Sequence, residues 1–539
     1  MNHVKLLDCT LRDGAYLLDK KFGDNNIKGI INGLVKSRID IVEVGFFQDE
    51  GFGEGKTVFR NSADAKRFIP KDKNGCMFTV LADYSRFSID NLDKCTEDSI
   101  DAVRECFFKH ERFAAIENCK RIKEQGYKCF VQPVDILGYT DIEIIELLKM
   151  INEVEPYCLS IVDTFGSMYQ EDLHRIFEII NHNLISTCRI GFHSHNNMQM
   201  SNALSQEFMR ITQGKREVVV DATLSGMGRG AGNTPTELLA QYMVSKHGYS
   251  YDMDALLDIM DDYMDSIKAR CSWGYSIPFF VAGCYSAHVN NVSYLNKKNS
   301  IRSKDIRYIL NKIGEIPRKR YDYDLLENTY LKYLTSDIDD CETILKLGND
   351  LLDRNVLMLF PGKTAKTEQK VIENYISKYN PIVISINYLH SDIESNYVYI
   401  SNTRRYEYWK NNPLFVSHKK IIASNIKNKA EKNDEFVVSF NKLIKCGWTH
   451  VDNSGLMLLR LLDDFDLKSI AIAGFDGYDY SNSKVKNYVD DDLEIASVRE
   501  NPGMLNEELF SMLQDYRETR KHESPIFFIT KSRFEDVFK

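Results

Sequence analysis

Two histidines and a carboxylate give the clearest chemical signal in this sequence. His193 and His195 close the run that begins at Arg189, and residues two apart on a strand point to the same side. Both imidazoles can therefore face one centre. A lone histidine is usually structural, but this alternation favours metal binding, with a carboxylate as the remaining ligand. We expect that ligand to be Asp13, which follows the first apolar run.

Two imidazoles and one carboxylate would leave several coordination positions of a divalent ion open for a substrate. Such an ion can act as a Lewis acid on the substrate that it binds. These ligand types do not distinguish Mn, Mg, Zn and Fe. Arg12 precedes Asp13 and keeps its charge, so it can stabilise an enolate oxygen beside the metal. Its alternative role is an ion pair, for example with Glu43. The two roles are compatible, because such a pair would hold the guanidinium in place.

The elements that must position these side chains repeat one pattern over residues 4–235. Short apolar runs alternate with amphipathic helical stretches, which predicts a parallel sheet. About eight such units in this length predict a TIM (β/α)8 barrel. The predicted strands are 4–7, 39–44, 76–82, 102–107, 128–133, 158–162, 189–192 and 217–221. The predicted helices between them include 25–37, 111–125, 141–154, 171–183 and 197–212.

Several polar side chains stand where these apolar runs end, which in a TIM barrel is the catalytic face. Glu43, Asp163 and Asp221 occupy such positions. Polar residues also follow strands as ordinary turn formers, so one of them alone is weak evidence. The combination with the two histidines indicates a site.

The 539-residue chain exceeds what one hydrophobic core usually organises, and we predict three regions of an α/β protein. Residues 1–235 form the barrel, and residues 236–350 form a helical accessory segment over the barrel mouth. Residues 351–539 form a Rossmann-like α/β domain, because a strand, a glycine turn, a helix and a second strand follow one another there.

The glycine turn of the third region contains Gly362, Lys363 and Thr364. A P-loop would need a glycine where Leu357 stands, so the segment is not a P-loop. A glycine turn before a helix is still a candidate nucleotide or phosphate site through the N–H groups of the helix N-terminus. A plain tight turn explains it equally well.

The charge balance argues against nucleic acid as a partner. The sequence has 69 Lys plus Arg against 78 Asp plus Glu, a net charge of -9, without a long basic run. No apolar stretch approaches the roughly 20 residues that span a bilayer, and the first residues lack a signal-peptide pattern. We expect a cytoplasmic protein with small-molecule partners and no membrane span, and we also expect a homo-oligomer.

Five motifs resemble the DRE-TIM metallolyases, a group with an HMG-CoA lyase-like barrel. The group includes 4-hydroxy-2-oxovalerate aldolase, 3-hydroxy-3-methylglutaryl-CoA lyase and the isopropylmalate and citramalate synthases. Segments 226–233 and 282–286 are most similar to the 4-hydroxy-2-oxoacid aldolases. The motifs are DCTLRDG (8–14), VEVG (42–45), VDTFG (162–166), GFHSHNN (191–197) and GRGAGN (228–233).

The resemblance implies a role for each matching residue. Asp13, His193 and His195 would hold Mn or Mg, with Zn as an alternative, and a 2-oxoacid would chelate the metal. Arg12 would stabilise the pyruvate enolate, with Glu43 beside it.

Further positions follow from the same resemblance. Tyr285 would lie near the substrate as a catalytic residue, Asn233 would lie close to the metal, and Asp163 would help to bind the substrate.

Tyr16 departs from the aldolase pattern. The aldolases have a histidine base two residues after the glycine of the Arg-Asp-Gly motif, and this sequence has Tyr16 there. With an ordinary pKa of about 10, a tyrosine is a poor general base at neutral pH. Either a metal-bound water or another residue takes the proton, or Tyr16 donates a hydrogen bond to a different substrate.

The sequence therefore predicts a divalent-metal-dependent aldolase that forms or cleaves a 4-hydroxy-2-oxoacid, with a 2-oxoacid and an aldehyde as its small-molecule partners. Segments 398–405, 452–455 and 470–477 resemble parts of Rossmann-type domains in sialyltransferase-like and pterin diphosphokinase-like families. A barrel of this type fused to such a domain resembles proteins of surface-polysaccharide pathways, which implies a role in the biosynthesis of their sugars. One alternative is an acyl-CoA-dependent Claisen condensing enzyme like the isopropylmalate and citramalate synthases. Another is a nucleotide-dependent transferase centred on the C-terminal domain.

Overall fold

The computed structural model describes residues 3–298, 301–334, 338–426, 435–451, 453–479, 487–490, 493 and 501–539. Contacts divide the chain into two compact units. One comprises Met1–Ser293 and Gly314–Tyr321, and the other comprises Tyr294–Ile313 and Asp322–Lys539. The division into three regions at residues 235 and 350 stays a prediction.

Parallel strands in the first unit close into a barrel, as predicted. They are β1 (Val4–Asp8), β2 (Ile41–Phe47), β3 (Val58–Phe59), β4 (Met77–Asp83), β5 (Ala102–Phe107), β6 (Lys128–Pro133), β7 (Cys158–Asp163), β8 (Arg189–Ser194) and β9 (Val218–Ala222). The order around the ring is β1-β9-β8-β7-β6-β5-β4-β2, and β1 pairs with β2 to close it. The two-residue β3 adds to β2 outside this ring.

Helices connect these strands, and most lie within a residue or two of the predicted stretches. The helix Asp141–Val154 begins where Thr140 and Glu143 form a capping box, and it buries an apolar face against the barrel. The α-helices are Thr10–Asp13, Asp24–Lys36, Ser62–Lys66, Arg112–Glu124, Asp141–Val154, Gln170–Asn183, Ser201–Thr212, Thr236–His247, Met253–Ile259, Asp265–Lys268, Ile277–Cys284, Val289–Asn296 and Glu315–Arg318. Short 3-10 turns are Gly14–Leu18, Ile89–Asn91, Lys109–Glu111, Ile136–Gly138 and Leu224–Gly226, and Met260–Met264 is a π-helical turn.

One predicted helix begins later than expected. The stretch 197–212 is helical only from Ser201 onward. Asn197 instead ties two loops together, because its Nδ2 donates to the Phe165 carbonyl at 2.9 Å and its Oδ1 accepts from Ala231 N–H at 3.0 Å. These bonds hold the segment that follows β8 in a fixed loop.

The barrel interior is apolar at the amino ends of the strands and polar at their carboxyl ends. A buried cluster of side chains from most strands fills the amino end, which leaves the carboxyl end for the polar groups described below. The cluster contains Leu7, Cys9, Ile41, Met77, Ala102, Phe130, Cys158 and Val219.

The second unit contains the predicted second parallel sheet. Its strands are β10 (Asn355–Leu359), β11 (Ile382–Ile386), β12 (Tyr397–Ile400), β13 (Lys419–Ala423), β14 (Glu435–Val438), β15 (Ser469–Ala473) and β16 (Ile526–Phe528). The order is β14-β13-β12-β11-β10-β15-β16. The connection reverses direction between β10 and β15, and in open α/β sheets ligands bind outside the carboxyl ends of strands at such a point.

Helices of the second unit flank this sheet in sequence. They are Ser303–Ile313, Tyr323–Leu334, Cys341–Leu351, Thr364–Thr367, Gln369–Tyr379, Thr403–Trp409, Pro413–Ser417, Phe440–Leu443, Ser454–Leu462 and Pro502–Thr519, with a 3-10 turn at Glu535–Phe538. Across the described parts of both units, no helix has the length and apolar character needed to cross a membrane.

Candidate functional site

The structure brings the three predicted metal ligands together. Asp13 ends the short helix that follows β1, and His193 and His195 lie at the end of β8. Asp13 Oδ2 is 3.3 Å from His193 Nε2 and 3.8 Å from His195 Nε2. Because β1 and β8 are separated only by β9, the two strand ends meet at the same rim.

The carboxylate of Asp13 is buried and, among the described residues, neither of its oxygens has a hydrogen-bond partner. Burial alone would raise its pKa, but Arg12, His195 and His193 together hold the pKa of Asp13 well below its usual range. A buried, ionised and unsatisfied carboxylate is costly unless it is paired or coordinates a metal. The donor set of one carboxylate and two imidazoles therefore fits a divalent cation.

Cys9 is a further candidate ligand that the sequence reasoning missed. Potential ligand atoms of Cys9, Asp13 and His193 lie within 4.8 Å of one another. The Cys9 thiol donates to the Ala222 carbonyl at 3.3 Å, and burial raises the pKa of this thiol well above its usual value. A protonated thiol is not a metal ligand, and Mn and Mg prefer oxygen and nitrogen donors, so His195 is the better third ligand for those ions.

His195 and Asn233 complete the immediate surroundings. Burial lowers the pKa of His195 to about 3, which keeps its imidazole neutral and able to bind a metal. Asn233 forms a main-chain bridge with His195, and its Nδ2 donates to the Met227 carbonyl at 3.2 Å. Its buried Oδ1 has no hydrogen-bond partner within the described ranges, and its closeness to a metal stays a prediction.

The ion pair suggested for Arg12 and Glu43 is present, with Nε donating to Oε2 at 2.7 Å. Arg104 also approaches this carboxylate, with its Nη1 3.0 Å from Oε2 of Glu43. The other end of the Arg104 guanidinium donates to Asp221. Arg104 is fully buried, and the sequence reasoning did not place it in the site.

Asp221 links this pair to the histidines, since its Oδ2 is 3.0 Å from His193 Nδ1. Burial alone would lower the pKa of His193, but the carboxylates of Asp13 and Asp221, which face its two ring nitrogens, raise it. The bond at Nδ1 fixes the ring orientation and leaves Nε2 toward Asp13, as carboxylates do for metal-binding histidines. Arg12 Nη1 lies 3.4 Å from Asp13 Oδ1, which closes a ring of charged side chains.

We call this set the charged ring: Arg12, Glu43, Arg104, Asp221, His193 and Asp13. Its two guanidinium groups face three carboxylates, so one negative charge is left over when His193 is neutral. That excess favours a bound cation.

The charged ring lies at the base of a cleft of about 620 Å³ that opens at the carboxyl ends of the barrel strands. Tyr16 lines this cleft, with the guanidinium of Arg229 4.0 Å from its ring centroid and the edge of Phe46 against it. Burial raises the pKa of Tyr16 further above its ordinary value. Its phenol therefore stays protonated at neutral pH, which favours a hydrogen-bond donor over a base.

Asp163 and Tyr285 are among the predicted site residues that do not line the cleft. Asp163 accepts hydrogen bonds from Ser167 N–H at 2.9 Å and from Ser194 Oγ at 3.3 Å, so it ties loops together. Burial raises its pKa to about 6. Tyr285 has the guanidinium of Arg318 5.4 Å from its ring centroid. Their roles toward substrate stay predictions.

Comparison with known proteins agrees with this geometry. Residues 3–262 match the HMGL-like family over its barrel. This region is an HMGL-like domain. The chain is 24% identical over 345 residues to a 4-hydroxy-2-oxovalerate aldolase of Shewanella pealeana, a match that covers 60% of this chain and 95% of the relative.

Two further likenesses concern the same domain. An oxaloacetate decarboxylase of Mycobacterium tuberculosis is 25% identical over 269 residues, covering 47% of this chain and 74% of the relative. The solved N-terminal domain of a Bacteroides vulgatus protein is 23% identical with a TM-score of 0.49, covering 54% of this chain and 96% of that one.

Outside the HMGL-like domain, the turn with Gly362, Lys363 and Thr364 follows β10 at the reversal point of the second sheet. Gly362 N–H donates to the Gly474 carbonyl at 3.0 Å. Thr364 N–H donates to Asp476 Oδ2 at 2.9 Å, and its hydroxyl donates to the same carboxylate. These donors are thus used within the protein, and nucleotide binding by the turn stays a prediction.

The crevice beside this turn also contains a histidine and carboxylate pair. His450 Nδ1 lies 2.6 Å from Glu508 Oε2, and the His450 N–H donates to Oε1 of Glu508 at 2.9 Å. His450 lines the crevice together with Arg405 and Asn387. The two partners are 58 positions apart, so their pairing was not visible in the sequence.

Proposed function

We propose that the HMGL-like domain is a divalent-metal-dependent aldolase that forms or cleaves a 4-hydroxy-2-oxoacid through a pyruvate enolate. One observation carries the proposal: the buried carboxylate of Asp13 has no hydrogen-bond partner among the described residues and faces His193 and His195. The names of the two relatives, an aldolase and a decarboxylase of 2-oxoacids, support it.

In this proposal Asp13, His193 and His195 hold Mn or Mg. When bound, the ion supplies a Lewis acid that polarises the carbonyl of the 2-oxoacid. Arg12 faces the charge that develops on the enolate oxygen, because its guanidinium is always protonated and its Nη1 lies 3.4 Å from Asp13. Glu43 keeps this guanidinium in position through the 2.7 Å bond to Nε.

Tyr16 holds a proton at its phenolic oxygen, and its part is to donate a hydrogen bond to the carbonyl oxygen of the acceptor aldehyde. It does not remove the proton from pyruvate, because burial raises its pKa and leaves even less of the phenolate that could accept a proton at neutral pH. This assignment gives Tyr16 a different task from the histidine of the aldolase pattern and leaves the proton of pyruvate to another group.

Exchange of the pyruvate methyl protons with deuterium tests the proposal without any knowledge of the aldehyde. With Mn or Mg, mass spectrometry should detect deuterium in pyruvate for the unmodified protein and none for His193→Gln. His174→Gln is the matched control, because His174 lies on the helix Gln170–Asn183 and bonds to Glu207 away from the cleft.

The proposal fails if neither ion supports exchange and no 4-hydroxy-2-oxoacid releases pyruvate. Release of a thiol from acetyl-CoA in the presence of a 2-oxoacid would instead identify a Claisen condensing enzyme.

A second candidate function concerns the crevice of the second unit. We propose that it binds a nucleotide-activated sugar, in the setting of surface-polysaccharide sugar biosynthesis. The position at the reversal point of the sheet and the His450–Glu508 pair support this proposal. Glu508 fixes one ring nitrogen of His450 and leaves the other for a ligand.

Calorimetry of the full chain with nucleoside diphosphates and nucleotide sugars tests this second candidate. Binding should weaken at least tenfold in His450→Phe and should be unchanged in His418→Phe, a half-buried histidine of the same unit that does not line the crevice. Absence of heat across the whole set would reject it.

A further inference from the structure

The cleft of the HMGL-like domain contains two hydrogen-bond donors that face each other. Arg229 Nη1 lies 3.4 Å from His288 Nε2, and the main-chain N–H of Asn290 donates to His288 Nδ1 at 3.1 Å. A neutral imidazole carries its hydrogen on one nitrogen only. Because Nδ1 accepts, the hydrogen is on Nε2, and Nε2 and the guanidinium are both donors that cannot bond to each other.

Two features keep this arrangement in place. Burial, together with the nearby charge of Arg229, lowers the pKa of His288 to about 3, so its ring stays neutral. Among the described residues, no carboxylate forms an ion pair with Arg229, whose other contact is the ring face of Tyr16 at 4.0 Å. The pair therefore lacks the acceptor that both donors require.

Basic side chains outnumber acidic ones along the cleft. Six basic side chains line it against two acidic ones, Asp83 and Glu111, although the whole chain has a net charge of -9. The Lys20 ammonium donates to the neutral amide of Gln48 at 2.6 Å, so this amine is not neutralised by a carboxylate there. Such a cleft attracts anions.

We propose that Arg229 and His288 together bind a carboxylate or phosphate group of the acceptor substrate. Two donors 3.4 Å apart can both reach one oxygen at the usual distance of about 2.9 Å, or two oxygens of one group. Resting on the proposed aldolase function, the inference names the acceptor class: an aldehyde with an anionic group at the end remote from its carbonyl.

Matched pairs of aldehydes test this substrate class. Succinic semialdehyde is compared with its uncharged methyl ester, and glyceraldehyde 3-phosphate with glyceraldehyde, in aldol addition to pyruvate with Mn or Mg. The anionic member of at least one pair should have a kcat/KM higher by about tenfold or more. The pair with the larger ratio of kcat/KM shows whether the site prefers a carboxylate or a phosphate.

Variants separate the donor pair from the general positive charge of the cleft. In Arg229→Gln the ratio of kcat/KM for the anionic over the uncharged aldehyde should fall by about tenfold. His288→Ala should also lower this ratio. The ratio for Arg229→Lys should lie between those of Arg229→Gln and the unmodified protein. Arg86→Gln is the control, because Arg86 also lines the cleft but lies 3.6 Å from Asp83, and its ratio should stay within about twofold.

Three outcomes would overturn the inference while leaving the aldolase function intact: equal kcat/KM within both pairs, an Arg229→Gln ratio equal to that of the unmodified protein, or an effect on the KM for pyruvate alone. An effect on the KM for pyruvate alone would mean that Arg229 binds pyruvate and not the acceptor. Thermal unfolding of each variant confirms that it is folded.

If pyruvate shows no proton exchange and no 4-hydroxy-2-oxoacid releases pyruvate, the aldolase function fails, and a binding experiment then tests the anion site separately. Calorimetry with succinic semialdehyde and its methyl ester should detect only the anion, and Arg229→Gln should abolish that heat. Equal binding of the two compounds, or no binding of either, would reject the site.

Discussion

The carboxyl ends of the two parallel sheets both collect polar side chains, but the two regions satisfy them differently. In the barrel, both oxygens of the buried Asp13 lack a hydrogen-bond partner within the described chain. In the second unit, Asp476 accepts two hydrogen bonds from Thr364, and Asn453 accepts from two N–H groups of the helix Ser454–Leu462. Among the described residues the barrel rim gives this carboxylate charged neighbours but no hydrogen bond, whereas the crevice supplies hydrogen bonds to its own polar groups.

This difference separates a site built around an ion from a crevice that is stable without a ligand. Leaving a buried charged group unsatisfied costs at least about 1–3 kcal/mol, which a protein tolerates where a ligand recovers it. Asp476 already accepts from the Thr364 N–H, and the Gly474 carbonyl from the Gly362 N–H, which are groups that an anion would use. A ligand of the crevice would instead depend on side chains such as His450 and Arg405.

The largest expected effect comes from removing the unsatisfied carboxylate. Asp13→Asn should lower pyruvate proton exchange by at least about 1000-fold, because it removes both a ligand and the charge that favours the ion. Metal content after dialysis and the exchange rate measure it. The control is Asp258→Asn, an exposed partner of Lys36; equal loss in both variants would contradict a special role for Asp13.

The next effect concerns the charged ring that supports this carboxylate. Arg104→Met should lower the free energy of unfolding by about 3–5 kcal/mol, because it leaves Glu43 and Asp221 without their shared cation. Metal affinity should also fall by roughly 10–100-fold, since Asp221 orients His193. Chemical unfolding and metal titration measure the two effects. A variant that loses stability but keeps its metal affinity would limit Arg104 to a structural role.

A smaller effect is expected for a buried carboxyl outside the ring. Burial raises the pKa of Glu105 to about 8, and Asn118 donates to it at 2.9 Å. The unfolded chain loses this proton near its ordinary pKa of 4.5, whereas the folded protein keeps it until about pH 8. Stability should therefore fall as pH rises through that window and then level off.

Glu105→Gln should remove this pH dependence. The difference in free energy of unfolding between the variant and the unmodified protein should therefore shift in favour of the variant from pH 5 to pH 8, by a few kcal/mol at most. Unfolding curves at both pH values measure the gain. The same pH dependence in the variant and the unmodified protein would show that Glu105 is ionised in the folded state.

The smallest expected effect concerns the crevice of the second unit, whose polar groups form hydrogen bonds with one another. Thr364→Val removes the hydroxyl that bonds to Asp476 and Thr530, and it should cost about 1 kcal/mol of stability. Unfolding of the full chain measures this cost. Weaker nucleotide binding with unchanged stability would reverse the interpretation and return the turn to its predicted role as a nucleotide site.

Local patterns explain what the sequence could predict. Barrel strands are short apolar runs between helices, and the placement of His193 and His195 depends only on the two-residue repeat of one strand. Asp13 could be predicted as the third ligand because the carboxyl ends of all strands in a barrel lie at one rim. Helix starts were less accurate, as with Ser201, because Asn197 uses its side chain for loop contacts that no local pattern encodes.

Long-range pairing explains what remained hidden. Arg104 bonds to Asp221 across 117 positions, although an arginine inside the apolar run of β5 was a signal that a buried partner must exist. The donor pair of Arg229 and His288 depends on a main-chain N–H at Asn290, which no residue type reveals. Such contacts are set by the closed barrel and not by any segment alone.

Closure of the charged ring means that its members cannot titrate independently. Each side chain contacts two others, so a proton or an ion that arrives at one position changes the field at all six. Groups coupled in this way have pKa values that belong to the set. Proton release during metal uptake would therefore be fractional and would vary with pH as one property of the ring.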